Sequence, residues 1–262
     1  PTSRAGTPAP HARTNAAVPR VDAGAARPPV DLQARAPEGL TLFETILLDA
    51  VSDERRDGQA MCYRDLEAHL VRMNSSALAL GLPFDERAAR NALSTLAAGT
   101  PCATVVRLES SQAGDITIAT RPVPGSPPSP VTVALSPFRT DPDDGLLRHK
   151  TTVRPLYERE YRRAQEQGFF EILFLNRLDD VTEGAITNVF ARTGTRWVTP
   201  PLDDGLLPGI WRARFLAGER CVEDHLTVAD LLAADEVVIA NSIRGPIRVG
   251  TIVPDALGGL VD

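Results

Sequence analysis

His149-Lys150-Thr151-Thr152-Val153-Arg154-Pro155-Leu156-Tyr157 is the stretch on which the reading of this chain turns. It places an amine between the end of a strand-bearing crossover and the start of a helix. Lys150 is also the only lysine among 28 basic residues. Arginine serves any solvated positive charge but does not deprotonate, whereas a buried amine near other cations loses its proton readily and attacks carbonyls. A lysine kept in an otherwise all-arginine chain is either a chance surface charge or a carbonyl-reactive amine. Composition alone favours neither.

Three further segments carry chemistry-bearing residues. In Val181-Thr182-Glu183-Gly184-Ala185-Ile186-Thr187-Asn188-Val189-Phe190, Glu183 stands after a turn and ahead of a strand. A carboxylate there can pair with a protonated ring nitrogen; read alone it also fits a solvated turn residue. Thr199 to Arg212 contains Gly205-Leu206-Leu207-Pro208-Gly209, a glycine loop entering a helix. Free backbone N–H groups at such a start suit a phosphate, though many loops enter helices this way. Asn241-Ser242-Ile243-Arg244-Gly245 follows a buried strand. Its polar groups suit phosphate or substrate, or equally a plain strand-ending turn.

Outward from these segments the chain divides in three. Residues 1–38 are rich in Pro, Ala, Arg and Gly without apolar periodicity, which predicts a disordered tail or linker. Residues 39–138 read as a small α+β domain. In it, a strand near Thr41–Leu48 precedes a polar turn, Asp53–Gln59. A helix over Tyr63–Leu80 follows, with Leu66, Leu70, Met73, Ala77 and Leu80 at helical spacing, and Gly81 stops it. Asp85 caps a second helix, and two short strands follow. Residues 139–262 form a larger domain in which strands and helices alternate.

With 262 residues, 43% hydrophobic and 24% charged, the chain can bury a sizeable core. Net charge is −6, and no basic stripe points to nucleic acid. No apolar run is long enough for a bilayer, and no signal peptide opens the chain. The lack of an initiator Met suits a processed product or a fragment. Cys62, Cys102 and Cys221 lie far apart with no metal-ligand spacing. No metal is expected, and a reducing, cytoplasmic location is.

Taken together, the four segments resemble the fold-type IV enzymes that use pyridoxal 5'-phosphate, over most of Leu40 to Val249. This group contains the branched-chain and D-amino-acid aminotransferases and 4-amino-4-deoxychorismate lyase. The shared pattern is a lysine, T-E-G-x-x-x-N some thirty residues on, then L-P-G-I and a polar closing turn. Leu42-Phe43-Glu44-Thr45, His69-Leu70-x-Arg72, Lys150-Thr151-Thr152-x-Arg154-x-x-Tyr157 and Asn241-Ser242-x-Arg244-Gly245 are most similar to the lyase, including lyase domains fused behind aminodeoxychorismate synthase.

The resemblance implies an α+β and α/β fold: a small N-terminal domain and a larger pseudo-barrel. It implies that Lys150 forms the Schiff base with the cofactor and then serves as general base, and that Glu183 pairs with the pyridine nitrogen. Arg72, the backbone N–H groups of Ile210 and Trp211 beyond Gly209, and Ser242 would hold the phosphate. Leu207 and Tyr157 would flank the ring. Tryptophan at position 211 departs from the aminotransferases, which usually place a threonine there. Thr45 matches a substrate-side threonine of the lyase and is the candidate proton relay. Arg107, Arg244 and Arg154 are candidates for the substrate carboxylates, each equally a surface charge on sequence alone. The reaction implied is conversion of 4-amino-4-deoxychorismate to 4-aminobenzoate and pyruvate, a step of folate biosynthesis. The alternatives are an aminotransferase of the same fold and a silent domain supporting a partner synthase. A homodimer is implied as well.

Overall fold

The computed structural model describes residues 37–53, 58–218 and 220–254; the tail expected over 1–38 lies outside these residues apart from its last two. The first sheet is antiparallel, in the order β2 (Gly58–Tyr63), β1 (Leu42–Asp53), β3 (Thr104–Ser110), β4 (Ile116–Pro122). Helices α1 (Leu66–Leu80) and α2 (Glu86–Gly99) cover one face of it. Leu70, Met73, Ala77 and Leu80 of α1 meet Ala89 and Leu93 of α2 over Leu42, Leu48, Val106 and Leu108. Asp85 caps α2 by accepting from the Ala88 N–H at 2.9 Å. The helix expected from Tyr63 starts three residues later, at Leu66. Tyr63 instead pairs with Leu48 as the last residue of β2, and Met61 and Tyr63, one strand period apart, both pack on the core.

The second sheet runs β10 (Cys221–Glu223), β9 (Arg196–Thr199), β8 (Asn188–Thr193), β11 (Glu236–Asn241), β12 (Gly245–Val253), β5 (Val131–Thr140), β6 (Glu171–Asn176), β7 (Val181–Gly184). Strand β7 pairs back onto β8 through Glu183 and Asn188, which closes six of these strands into a ring. Strand alternation explains the filling. Val131, Val133, Leu135, Leu173, Leu175, Val181, Val189, Ala191, Val237, Ile239 and Ile247 form one core inside the ring. Their even-numbered neighbours face outward. Ala134, Ile172 and Phe174 pack under α3 (Pro155–Glu166) through Tyr157 and Ala164. Phe190, Val238 and Ala240 pack under α4 (Ile210–Leu216) through Trp211 and Phe215. Thr227 caps α5 (Val228–Ala233) in a reciprocal box with Asp230.

The domain boundary drawn at 138/139 cuts through β5. This strand runs from Val131 to Thr140 and is hydrogen-bonded between β12 and β6, so residues 131–138 belong with the larger sheet. Pro137 lies inside this strand. It falls in the register shift between Leu135 and Arg139, where a missing N–H costs no ladder bond. Among the described residues, no helix is long and apolar enough to cross a membrane.

Candidate active site

Lys150 is fixed by pairing of its segment with the start of β1. Its carbonyl accepts the Phe43 N–H at 3.0 Å, Thr151 bridges to Leu42, and the Thr152 N–H donates to the Thr41 carbonyl at 3.0 Å. The start of β1 thus holds the lysine segment against the larger sheet. The amine enters a cavity of about 720 Å³ lined from both sheets. Its Nζ lies 4.6 Å from the centre of the Phe43 ring. Burial, then the charges of Arg72 and Arg154, bring its pKa down to about 7, against the pull of Glu44 and Glu183.

Glu183 faces the same cavity from the seam of the ring and is buried. It accepts the Leu207 N–H at 3.2 Å and approaches the Asn188 amide at 3.4 Å. Asn188 also donates to the Leu207 carbonyl at 3.0 Å. The two ends of the T-E-G-x-x-x-N motif therefore tie the seam to the L-P-G loop. No cation stands within ion-pair distance of Glu183 among the described residues. Burial pushes its carboxyl up to about 7, with Arg154, the Leu207 N–H, Lys150 and Tyr157 pulling the other way. The two motif glycines have steric causes. A Cβ on Gly184 would stand 2.4 Å from Thr187 Oγ1 and 2.9 Å from Glu171, and one on Gly209 would stand 1.9 Å from Asn188 Oδ1.

Sequence reasoning missed Glu171. Fully buried, it accepts N–H groups of Ile172, Ala185 and Ile186 at 3.0–3.1 Å and the Thr187 hydroxyl at 3.0 Å. It shapes the turn between Glu183 and Asn188. A signal was present: one charge inside the apolar run Phe169-Phe170-Glu171-Ile172-Leu173-Phe174. Glu44 was quoted only as part of a motif. It takes His69 Nδ1 at 2.7 Å and both Arg72 Nε and Nη2, at 2.8 and 2.6 Å. Arg72 Nη1 donates to the Pro208 carbonyl at 2.9 Å. Arg72 is thereby locked at the cavity wall, with three of the five guanidinium donors engaged.

The structure brings most of the expected residues to one place. Thr45, Arg72, Arg107, Lys150, Arg154, Tyr157, Glu183, Leu207, Gly209, Ile210, Ser242 and Arg244 all line the cavity. Thr45 and Arg107 do so together because they are direct cross-strand partners. The Tyr157 hydroxyl is buried, and burial followed by the Glu183 charge raises its pKa well above the usual phenol value. Ser242 donates to the Thr45 carbonyl at 3.3 Å, so its hydroxyl is already engaged. Trp211 is the exception. Its indole leaves the cavity and stacks on Phe215 at 4.9 Å and edge-on to Phe190 at 5.0 Å, so only its backbone can face a ligand. The rim arginines differ. Arg107 is paired with Glu109 at 2.6 Å and lies over Phe43. Among the described residues, Arg154 and Arg244 donate hydrogen bonds only to carbonyls, of Ala185 and Gly125. Arg121, near the end of β4, also lines the cavity, and no carboxylate lies within ion-pair distance of it among the described residues.

The family model described as amino-transferase class IV matches residues 41–252. A Schizosaccharomyces pombe protein named "Putative aminodeoxychorismate lyase" is 32% identical over 215 residues, covering 79% of this chain and 87% of its own. Among solved structures, a "Putative amino-acid aminotransferase" from Mesorhizobium loti has 31% identity and a TM-score of 0.72, covering 81% of this chain and 99% of that one. A "Putative 4-amino-4-deoxychorismate lyase" from Legionella pneumophila has 23% identity and a TM-score of 0.73, covering 88% and 89%, a likeness of fold. Solved structures of this fold carry pyridoxal 5'-phosphate.

Proposed function

The chain belongs to the amino-transferase class IV family of fold-type IV, pyridoxal-phosphate enzymes, and from that premise we propose that it converts 4-amino-4-deoxychorismate to 4-aminobenzoate and pyruvate. One observation carries the reading. An amine and a carboxyl, both brought to about 7, share a cavity whose rim holds Arg121, Arg154 and Arg244, and no carboxylate is paired to these arginines among the described residues. The proposed substrate has two carboxylates, which such cationic forks bind.

The donor set fits the cofactor. Lys150 is the amine that would anchor it, and Glu183, lacking a cation, would meet the ring nitrogen. Tyr157 and Leu207 would flank the ring. The two remaining donors of Arg72 and the N–H groups of Ile210 and Trp211 would take the phosphate, with Ser242 exchanging its bond to Thr45 for a phosphate oxygen. When bound, pyridoxal 5'-phosphate supplies an electron sink conjugated to the substrate nitrogen.

The residues of the chain then move the protons. Lys150 Nζ, close to half neutral near pH 7, accepts the proton from C4 of the substrate ring. Arg121, Arg154 and Arg244 hold the carboxylates so that this C–H faces the amine. The Thr45 hydroxyl passes a proton to the methylene of the leaving enolpyruvyl group. One C–H bond and one C–O bond break, a methyl group forms, and the ring becomes aromatic without consuming water.

The test is direct: incubation with aminodeoxychorismate is expected to yield 4-aminobenzoate and pyruvate in equal amounts. The 31% identity to the Mesorhizobium loti protein favours a second reading, an aminotransferase acting on a branched-chain or D-amino acid. Amino transfer to a keto acid with no 4-aminobenzoate formed would decide for it. A silent domain supporting a synthase would bind no cofactor. A visible absorbance band erased by borohydride, and absent from Lys150→Ala, excludes that reading. Homodimeric assembly, kinship with a fused synthase and a place in folate biosynthesis belong to the same proposal.

A further inference from the structure

Outside the cavity, Asp180, Asp204 and His225 converge, with one ligand-type atom of each within 4.8 Å of the others. His225 Nδ1 lies 2.8 Å from Asp204 Oδ1 and 3.8 Å from Asp180 Oδ2. The Asp180 and Asp204 side chains are 10% and 3% exposed, whereas the imidazole is 39% exposed and opens a path from solvent. A second observation concerns the hydrogen bonding of Asp204 rather than the spacing of the three side chains. Asp204 Oδ2 is buried and has no hydrogen-bond partner. A buried carboxylate oxygen without a donor is costly unless a cation meets it. One imidazolium neutralises at most one of the two aspartates.

We propose that Asp180, Asp204 and His225 form a divalent-cation site that takes Zn²⁺ or Mn²⁺ through His225 Nδ1 and one oxygen of each aspartate, with solvent completing the shell. Mixed imidazole and carboxylate donors suit these ions better than Mg²⁺ or Ca²⁺, which favour oxygen alone. Ligands about 2.0–2.2 Å from a tetrahedral ion stand roughly 3.3–3.6 Å apart, and the observed 2.8 and 3.8 Å bracket that spacing. The placement has a consequence. Asp180 precedes β7, which carries Glu183, and Asp204 precedes the loop whose Leu207 N–H holds Glu183. A cation here clamps the strand and the loop together from outside the cavity.

The experiment uses the full, untagged chain with its cofactor, freed of metal by chelation. It is equilibrated with Zn²⁺, Mn²⁺ or Mg²⁺ separately, passed through gel filtration and analysed for metal per chain and melting temperature. One Zn²⁺ or Mn²⁺ per chain with a raised melting temperature is expected, and little Mg²⁺. His225→Gln and Asp204→Asn are expected to weaken binding by more than about tenfold. Asp203→Asn, at a neighbouring side chain that is 88% exposed, is expected to bind as the parent does. If Asp204→Asn does not fold, the half-exposed His225 decides. No stoichiometric ion in the parent, or binding unchanged in His225→Gln, overturns the proposal.

Discussion

Glu44 and Glu183 are both buried strand glutamates, and the two sheets treat them oppositely. Glu44 in the small sheet meets His69 and both nitrogens of an arginine fork. Burial works to raise its pKa, but Arg72 and His69 outweigh it and hold the carboxyl down to about 2. Glu183 at the seam of the ring meets an amide and a backbone N–H but, among the described residues, no cation at ion-pair distance, and burial takes it up to about 7. The first is a satisfied structural charge. The second is a charge kept short of a partner, facing an amine shifted towards it. Perturbation of that kind marks sites of chemistry. The difference also separates roles inside one site, since Glu44 acts on the cavity only by holding Arg72.

The sharpest way to break this contrast is to remove the amine. Lys150→Ala is expected to lower turnover by about 10⁴-fold, the upper end for loss of a positioned base. It should also abolish the visible cofactor band. If Lys150 acts as the base we propose, activity in the parent should rise with pH through about 7, where burial brings the pKa of the amine. A flat profile between pH 6 and 8, with chemistry limiting, would detach the base role from Lys150. Glu183→Gln comes next. It should lower kcat by about 10²-fold while the protein still folds, because the lost carboxylate acts on developing charge rather than on packing.

Glu44→Gln should invert that pattern, with stability lost first. Removing the charge strands Arg72 and His69 and is expected to cost about 3–5 kcal/mol by urea unfolding. The pH dependence follows from the same numbers. The folded pKa of Glu44, about 2, lies below the unfolded value of 4.5, so its stabilisation is present above pH 4.5 and is lost as pH falls towards 2. The folded pKa of Glu183 is raised instead, so in cofactor-free protein its contribution is present below pH 4.5 and is lost as pH rises through about 7. Glu183→Gln should therefore flatten part of a decline on the neutral side. Glu44→Gln should flatten the acid side.

Much of this was legible in the sequence, for identifiable reasons. Lys150 stood out because nothing else in the chain can do what a neutral amine does. T-E-G-x-x-x-N and L-P-G were legible because backbones approach closely there, and Gly184 and Gly209 have no room for a Cβ. The helix stop at Gly81 and the cap at Asp85 are local chemistry and were read locally. The limits were long-range. Strand β2 was hidden because its pairing with β1, not its own pattern, makes it a strand. The seam between β7 and β8, the carboxylate of Glu171 under the turn, and the Glu44–Arg72 pair across 28 residues depend on closure of the sheets. Arg121 was hidden for the same reason, since only the β3–β4 pairing brings it to the rim.

The contrast extends to the arginines, and there the expected effects are smallest. Arg72 and Arg107 already have carboxylate partners, Glu44 and Glu109. Arg121 has none among the described residues, so a substrate carboxylate would be the first anion it meets. A hydrogen bond to a charged group contributes about 1.5–3 kcal/mol, so Arg121→Ala should raise KM by roughly tenfold or more. On the proposed role its loss should fall mainly on KM, with kcat lowered less, because Arg154 and Arg244 still orient the substrate. Arg107→Ala should change KM less, since its charge is already spoken for by Glu109. If Arg107→Ala raised KM while Arg121→Ala did not, the ion-paired arginine would be the one that recognises substrate. An unmet charge would then no longer distinguish the working side of this cavity from its structural side.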